Sequence, residues 1–506
     1  MAVELGASRL LAPYFSSSQI VWTIIIGTIM IAMALGNIFG GKSADKNPNP
    51  DKLYARILIA SVWIAAIPFL GKFVILGVSA LLVVTVNTNF LIWAAFFTCM
   101  IVFVFPLFLL GTVTPSLVKY TVDSLDDSGK TVGTLEAFNT IGSIIGTFVP
   151  TFISIPAVGT SATFLIFSGI LLVIAVIYFV FSIRGAVKCA VTSVIFVVCC
   201  VVSTSFGFAF WENDLAYEGE SVYNYLQVKD NERRIALSTN VLFGVQSVYM
   251  KSGELSGMYY DYAMSAPLMA DTKSSKKDIL ILGMGTGTYA KQCMNYFDNV
   301  TVEGVEIDDK ITDLAHEYFD LPEDIKVTTY DGRAFLNVSD KKYDVIMVDA
   351  YQDITIPFQM SSVEFFRLVR SHLKENGVMV VNMNMRSKES DGINSWLADT
   401  IADVFSEVYT VDVTSSTNHE LFASDNPDML KVFSENTEKL ENENLSFMMK
   451  NISADIVRYE NGNRILTDDK APVELLGMSV IDDIIQDELV YYREKFKTEG
   501  IKGIIG

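Results

Sequence analysis

Four short stretches in the second half of this 506-residue chain carry residue types that could do chemistry, and each closes a run of apolar residues. The first is Gly283-Met284-Gly285-Thr286-Gly287, followed by a helical pattern. Later apolar runs end in Glu306, in Asp331-Gly332, and in Asp349-Ala350-Tyr351-Gln352-Asp353. Glycines at a strand-to-helix turn let the backbone fold tightly and let a ligand approach a helix N-terminus. Glu306 stands 19 residues after Gly287, where a carboxylate can hold the two hydroxyls of a ribose. Asp331 at the next strand end can accept a hydrogen bond from an adenine amino group. No GK[ST] sequence follows the glycine loop, so a polyphosphate grip is not expected. The set suits an adenosine-containing ligand without a polyphosphate.

Such residues act together only if one scaffold brings them to one edge. Residues 278–283, 300–307, 325–329, 343–349 and 377–382 read as apolar strands, with helical patterns at 288–297, 310–319 and 362–373. This alternation predicts a parallel, doubly wound, Rossmann-like α/β sheet of the class I methyltransferase type, which binds ligands at the carboxyl ends of its strands. Runs 408–413 and 420–423 add a hairpin at its edge. Ahead of it, runs 222–228, 234–237 and 245–250 predict a small antiparallel sheet. Tyr289 and Cys293 read as core packing, His316 as surface, and the acidic run 435–443 as a solvated helix face.

The first part of the chain has a different texture. Runs 19–41, 54–86, 90–111, 131–155, 161–183 and 187–210 are apolar, several reaching the roughly 20 residues that cross a bilayer. Mean hydropathy is +0.36 for the whole chain. Residues 1–210 carry ten Lys and Arg against seven Asp and Glu, whereas 211–506 carry 28 against 51. The acidic part repels phosphate backbones and argues against nucleic-acid binding; it favours cationic ligands. One cysteine, Cys293, lies in the acidic part and the three histidines are scattered, so neither a disulfide framework nor a metal site is expected. Residues 54–86 contain Pro68, Gly71 and Lys72 and allow one long bent helix or two short ones. Gly36/Gly40 and Gly142/Gly146 have the spacing of close helix contacts. Glu136, near the start of a span, is either a functional or an interfacial carboxylate. The expected organisation is a polytopic membrane domain of about six to seven helices over 1–210, a small β-domain over 211–277, a transferase domain over 278–480 and a tail over 481–506.

With these motifs in place, the chain resembles the spermidine synthase family in its membrane-fused bacterial form. The resemblance is carried by residues 4–15 (ELGASRLLAPYF), 40–45, 221–225 (SVYNY), 244–249 (GVQSVY), the four strand-end motifs, 466–469 (LTDD) and 471–474 (APVE). It implies a polyamine aminopropyltransferase with decarboxylated S-adenosylmethionine as donor, a small cationic amine such as putrescine as acceptor, and no metal. Gly283, Gly285, Gly287, Glu306, Asp331 and Gly332 would hold the donor. Asp353 or Asp349 would act on the acceptor amine, because a protonated amine must lose its proton before it attacks. Asn224, Gln246, Tyr260, Asp261 and Tyr351 would line the substrate side. The chain departs from the family where the glycine loop usually carries an Asp for the aminopropyl ammonium: Thr286 stands there.

Two other readings share the same sheet. One is a methyltransferase using intact S-adenosylmethionine; the other is a membrane transporter or sensor whose soluble part only binds a nucleoside or polyamine. The expected partners are the lipid bilayer, the amine and, as one option, a second copy in a homodimer. The expected location is the cell membrane, multi-pass, with the acidic part in the cytoplasm, where such a donor is found.

Overall fold

The structure, a computed structural model, describes residues 1–15, 18–86, 89–122, 128–205, 207–212, 214–241, 245–274, 276–350, 356–384, 392–414 and 416–499. Among them, five helical stretches are long and apolar enough to cross a membrane: Gln19–Lys46, Pro50–Val83, Val104–Thr121, Ser128–Phe181 and Ala186–Ser203, beside a shorter apolar helix, Phe90–Val102. Pro50–Thr85 is one continuous helix with Pro68 inside it, so the pair of short helices is not realised. The stretch Ser128–Phe181 is broken by the π-helical turn Pro150–Ser154 and by Gly159 at φ 80°. Its two arms therefore correspond to runs 131–155 and 161–183. A Cβ on Gly36 would lie 2.3 Å from the Phe108 carbonyl oxygen, so two helix backbones touch there. Gly142 faces open space instead, and Glu136 is exposed.

Beyond the helices, β1 (Leu215–Glu220), β2 (Tyr225–Asp230), β3 (Arg234–Ser238) and β4 (Ser247–Met250) form an antiparallel sheet in that order. Its first strand was not legible in the sequence, and residues 222–224, expected to open a strand, form the loop between β1 and β2. The larger sheet holds β5 (Lys277–Leu282), β6 (Val300–Glu306), β7 (Lys326–Thr329), β8 (Tyr343–Val348), β9 (Leu373–Met383), β10 (Glu407–Asp412), β11 (His419–Ser424) and β12 (Val457–Arg458). Their order is β12-β10-β11-β9-β8-β5-β6-β7. The five strands from β9 to β7 are parallel; β11, β10 and β12 run antiparallel to their neighbours. The sheet is thus mixed.

Strict alternation buries both faces of its centre. Leu280, Leu282, Ile346, Val348, Met379 and Val381 pack on one face, and Ile279, Ile281, Val345, Met347, Val378 and Val380 on the other. Each such side chain contributes roughly 1.5–3 kcal/mol relative to exposure, which pins the register that aims the strand ends. The first face is continuous with Tyr14, Phe15 and Phe208 at the helix ends. Polar links run the same way. Thr160 donates through N and Oγ1 to Glu220 at 2.8 and 2.5 Å, and Val241 N donates to the Pro13 carbonyl at 2.8 Å. Arg9 donates to the carbonyls of Ser221 and Val222. The helix Val473–Glu499 runs through the boundary expected at 481, and Arg493 Nε donates to the Val83 carbonyl at 2.7 Å.

Candidate functional site

The carboxyl ends of β5, β6 and β8, with the residues just beyond β7, open into a cavity of about 660 Å³. Gly283 (φ 87°) closes β5, and a Cβ there would lie 2.6 Å from the Asp349 carbonyl oxygen. Only glycine fits where the first and fourth strand ends approach so closely. Gly287, at φ 77°, turns the chain into the helix Thr288–Tyr296.

Gly283, Gly285, Glu306, Asp331, Gly332 and Asp349 line this cavity together. Glu306 is nearly buried. Its Oε2 accepts from Gly285 N at 2.9 Å and its Oε1 from Asp308 N at 3.1 Å. Burial raises its pKa above the usual carboxylate value, against the pull of these two N–H groups. Asp308 in turn accepts from Ser221 Oγ at 2.5 Å and Asn224 Nδ2 at 3.0 Å, and its other oxygen caps the next helix through Lys310 N at 3.2 Å. Asp331 caps the helix Gly332–Val338 by accepting from Ala334 N at 2.7 Å.

Asp349, just beyond β8, lines the same cavity. Asn382 Nδ2 donates to its Oδ1 at 2.8 Å and the Tyr259 hydroxyl to its Oδ2 at 2.7 Å. Burial pushes its pKa up to about 7, the two hydrogen bonds oppose that rise, and the charge of Glu306 adds to it. A carboxyl that titrates there can take or give a proton at physiological pH.

Of the expected substrate-side residues, Asn224 and Gln246 line the cavity. Tyr260 and Asp261 are not among its lining residues. The Tyr260 hydroxyl accepts from Val248 N at 2.8 Å. Asp261 is buried and accepts from Gly257 N, Ser256 Oγ and Gln292 Nε2, bracing a turn against the helix Thr288–Tyr296. The neighbour Tyr259 faces the cavity instead; two adjacent tyrosines on a short helix point about 100° apart, and nothing local says which is inward. Gly287 lies behind the lining, and Thr286 is fully buried, its hydroxyl 3.4 Å from that of Thr288. Tyr351, Asp353 and Gly244 lie outside the described residues. Asn382 at the end of β9 was missed, although the strand-end rule could have found it. Gln19 and Glu474 line the cavity and are joined by a 2.8 Å hydrogen bond from Gln19 N to Glu474 Oε2; Gln19 had no sequence signal, and Glu474 stood in the 471–474 stretch of the resemblance without a role assigned to it. The described residues contain no group of three or more His, Cys, Asp or Glu suited to a metal ion.

Comparison with known proteins gives this geometry a context. Residues 258–419 match the family described as "Spermine/spermidine synthase domain". The chain is 25% identical over 226 residues to a "Polyamine aminopropyltransferase" of Vibrio vulnificus, covering 43% of this chain and 74% of that one. A crystal structure of a probable spermidine synthase from Corynebacterium glutamicum aligns with a TM-score of 0.38 and 19% identity, covering 50% of this chain and 98% of that one. A "Probable polyamine aminopropyl transferase" of Bifidobacterium longum is 54% identical over 346 residues, which cover 65% of this chain and 77% of the relative. On that identity and coverage, the chain belongs to the spermine/spermidine synthase family of aminopropyltransferase-like enzymes.

Proposed function

We propose that the protein is a membrane-bound aminopropyltransferase that moves the aminopropyl group of decarboxylated S-adenosylmethionine to a small cationic amine such as putrescine. The observation that carries this reading is a buried carboxyl, Asp349, oriented by Asn382 and Tyr259 in the cavity that Glu306 also lines. The nucleoside end fits the donor. Each Glu306 oxygen spends one lone pair on a backbone N–H and keeps another for a ribose hydroxyl. Asp331 lines the same cavity for the adenine, and glycine at 283 lets the first and fourth strand ends meet beneath it.

At the other end, Asp349 would hold the acceptor ammonium and take its proton. The freed amine nitrogen then bonds to the carbon beside the sulfonium as the carbon–sulfur bond breaks, and neutral methylthioadenosine leaves. Asn382 and Tyr259 keep the carboxylate pointed at that nitrogen, and the acidic surface draws the dication in. Asp349 takes the base role in this proposal because it lines the cavity and its carboxyl is oriented by Asn382 and Tyr259.

The five apolar helical stretches support a multi-pass location in the cell membrane. We place the sheet on the cytoplasmic side, where the donor is made. The single helix Pro50–Thr85 gives the competing argument, since with it Lys42, Lys119 and Arg184 gather on the opposite face; thiol labelling of a cysteine placed at Lys470 in intact cells against broken cells decides between them. The activity test uses the full-length protein in detergent with decarboxylated S-adenosylmethionine and putrescine. Stoichiometric methylthioadenosine and aminopropylated amine support the reading. Turnover of intact S-adenosylmethionine to S-adenosylhomocysteine would replace it with methyl transfer, and ligand binding without any turnover would leave a sensor.

A further inference from the structure

Glu420 lies on β11 directly opposite Asn382 on β9, so the two side chains share a face of the sheet. It is fully buried, and neither carboxyl oxygen has a hydrogen-bond partner among the described residues. That is unusual: a buried carboxyl without a partner is costly, and a charged one far more so. The titratable groups that face it are Asp349, Tyr259 and Tyr289, each near enough to interact electrostatically with its charge. The last two come from the helices Tyr259–Ala263 and Thr288–Tyr296, which pack on the same face. Asn382 itself is committed, donating to Asp349 and accepting from Asn418 Nδ2 at 2.7 Å. The glycine loop itself carries no acid: Thr286, between Gly285 and Gly287, is buried and neutral.

We propose that Glu420 is a positioning residue for the cationic donor: it stays protonated in the empty enzyme and ionises when the donor's aminopropyl ammonium enters the cavity beside Asp349, supplying the charge that the glycine loop lacks. The released proton goes to solvent, and the new carboxylate is balanced by the bound cation through a low-dielectric layer made of Asn382, Tyr259 and Asp349. An uncompensated charge at this depth is prohibitive, whereas one facing a buried cation is favourable. The site therefore discriminates by ligand charge rather than by shape. This inference rests on the aminopropyltransferase reading and names how its cationic substrate is held.

The test compares full-length wild type, Glu420→Gln and Glu420→Met by calorimetry at pH 7 with two ligands that share the nucleoside. These are neutral methylthioadenosine and decarboxylated S-adenosylmethionine, each measured in phosphate and in Tris so that proton release is read from the difference in heat. Both substitutions should leave methylthioadenosine affinity within about twofold, weaken the cationic donor by about tenfold or more, and lower the proton release on donor binding by close to one. Equal donor affinity in wild type and variants overturns the inference, as does parallel loss of both ligands, which marks a purely structural role. If wild type binds neither ligand, the functional reading fails instead.

Discussion

At the nucleoside end of the cavity Glu306 accepts from two backbone N–H groups and Asp308 from a hydroxyl, an amide side chain and a helix N-terminus. At the reaction end Asp349 is held by two side chains and Glu420 by none among the described residues. Backbone donors are placed by the fold itself and cost no side-chain ordering, so the first end is a rigid receptor. Side-chain donors leave Asp349 titrating near neutrality, and bare burial raises the pKa of Glu420 well above the usual carboxylate value. One end can recognise while the other moves protons, although both are built from acids at the edge of one sheet.

Substitutions that treat the two ends differently sharpen this contrast. Asp349→Asn keeps the shape and the Asn382 contact but removes the base; aminopropyl transfer should fall by about 10²–10⁴-fold while methylthioadenosine binding persists. Loss of binding in that variant would merge the two ends into one. Glu306→Ala should do the reverse, weakening methylthioadenosine by about a hundredfold through two lost charge-assisted hydrogen bonds. A calorimetric titration that finds it unchanged removes Glu306 from the nucleoside site.

A smaller effect is expected from Tyr259→Phe. Asp349 must be ionised to act, so kcat/KM should rise with pH and level off above about 7. The Tyr259 hydroxyl favours the ionised form, so the variant's limb should move to higher pH with its plateau little changed. A limb that moves to lower pH contradicts the assignment. The smallest effect concerns stability. Burial raises the Glu420 pKa well above its ordinary value, with the Asp349 charge adding to the rise. Above the unfolded-state pKa of about 4.3 the native state keeps a proton that the unfolded chain has lost, so this group's contribution to stability falls as pH rises. Glu420→Gln abolishes that slope. Its Tm should match wild type near pH 4 and equal or exceed it at pH 7, and a lower Tm at pH 7 would mean that the carboxylate is paired in the native state.

Much of the scaffold was legible because its signals are local. Strands β5, β8 and β9 contain runs of Val, Ile, Leu and Met buried on both faces, and such runs are visible without knowledge of their neighbours. The helices Thr288–Tyr296, Asp309–Tyr318 and Val363–Ser371 began within a residue or so of their expected starts. Asp308 and Ser362 cap two of them, which is a rule about adjacent residues. Strand β1 escaped notice because Leu215–Glu220 alternates polar and apolar residues only weakly and is fixed by pairing with β2.

What the residues alone determined was the division between apolar helices and acidic sheet, the alternation that builds that sheet, and the set of glycines and acids at its carboxyl edge. Periodicity, capping and turn chemistry act over a few positions and are written in order along the chain. Tertiary structure decided that Tyr259 rather than Tyr260 meets Asp349, that β11 runs back beside β9 and buries Glu420 behind the base, and that Gln19 and Glu474, 455 positions apart, close one wall of the cavity. These outcomes depend on which surfaces exclude water from one another. Burial sums contacts from segments distant in sequence, and it is burial, more than residue type, that raises the pKa values of Asp349 and Glu420 above those of ordinary acids.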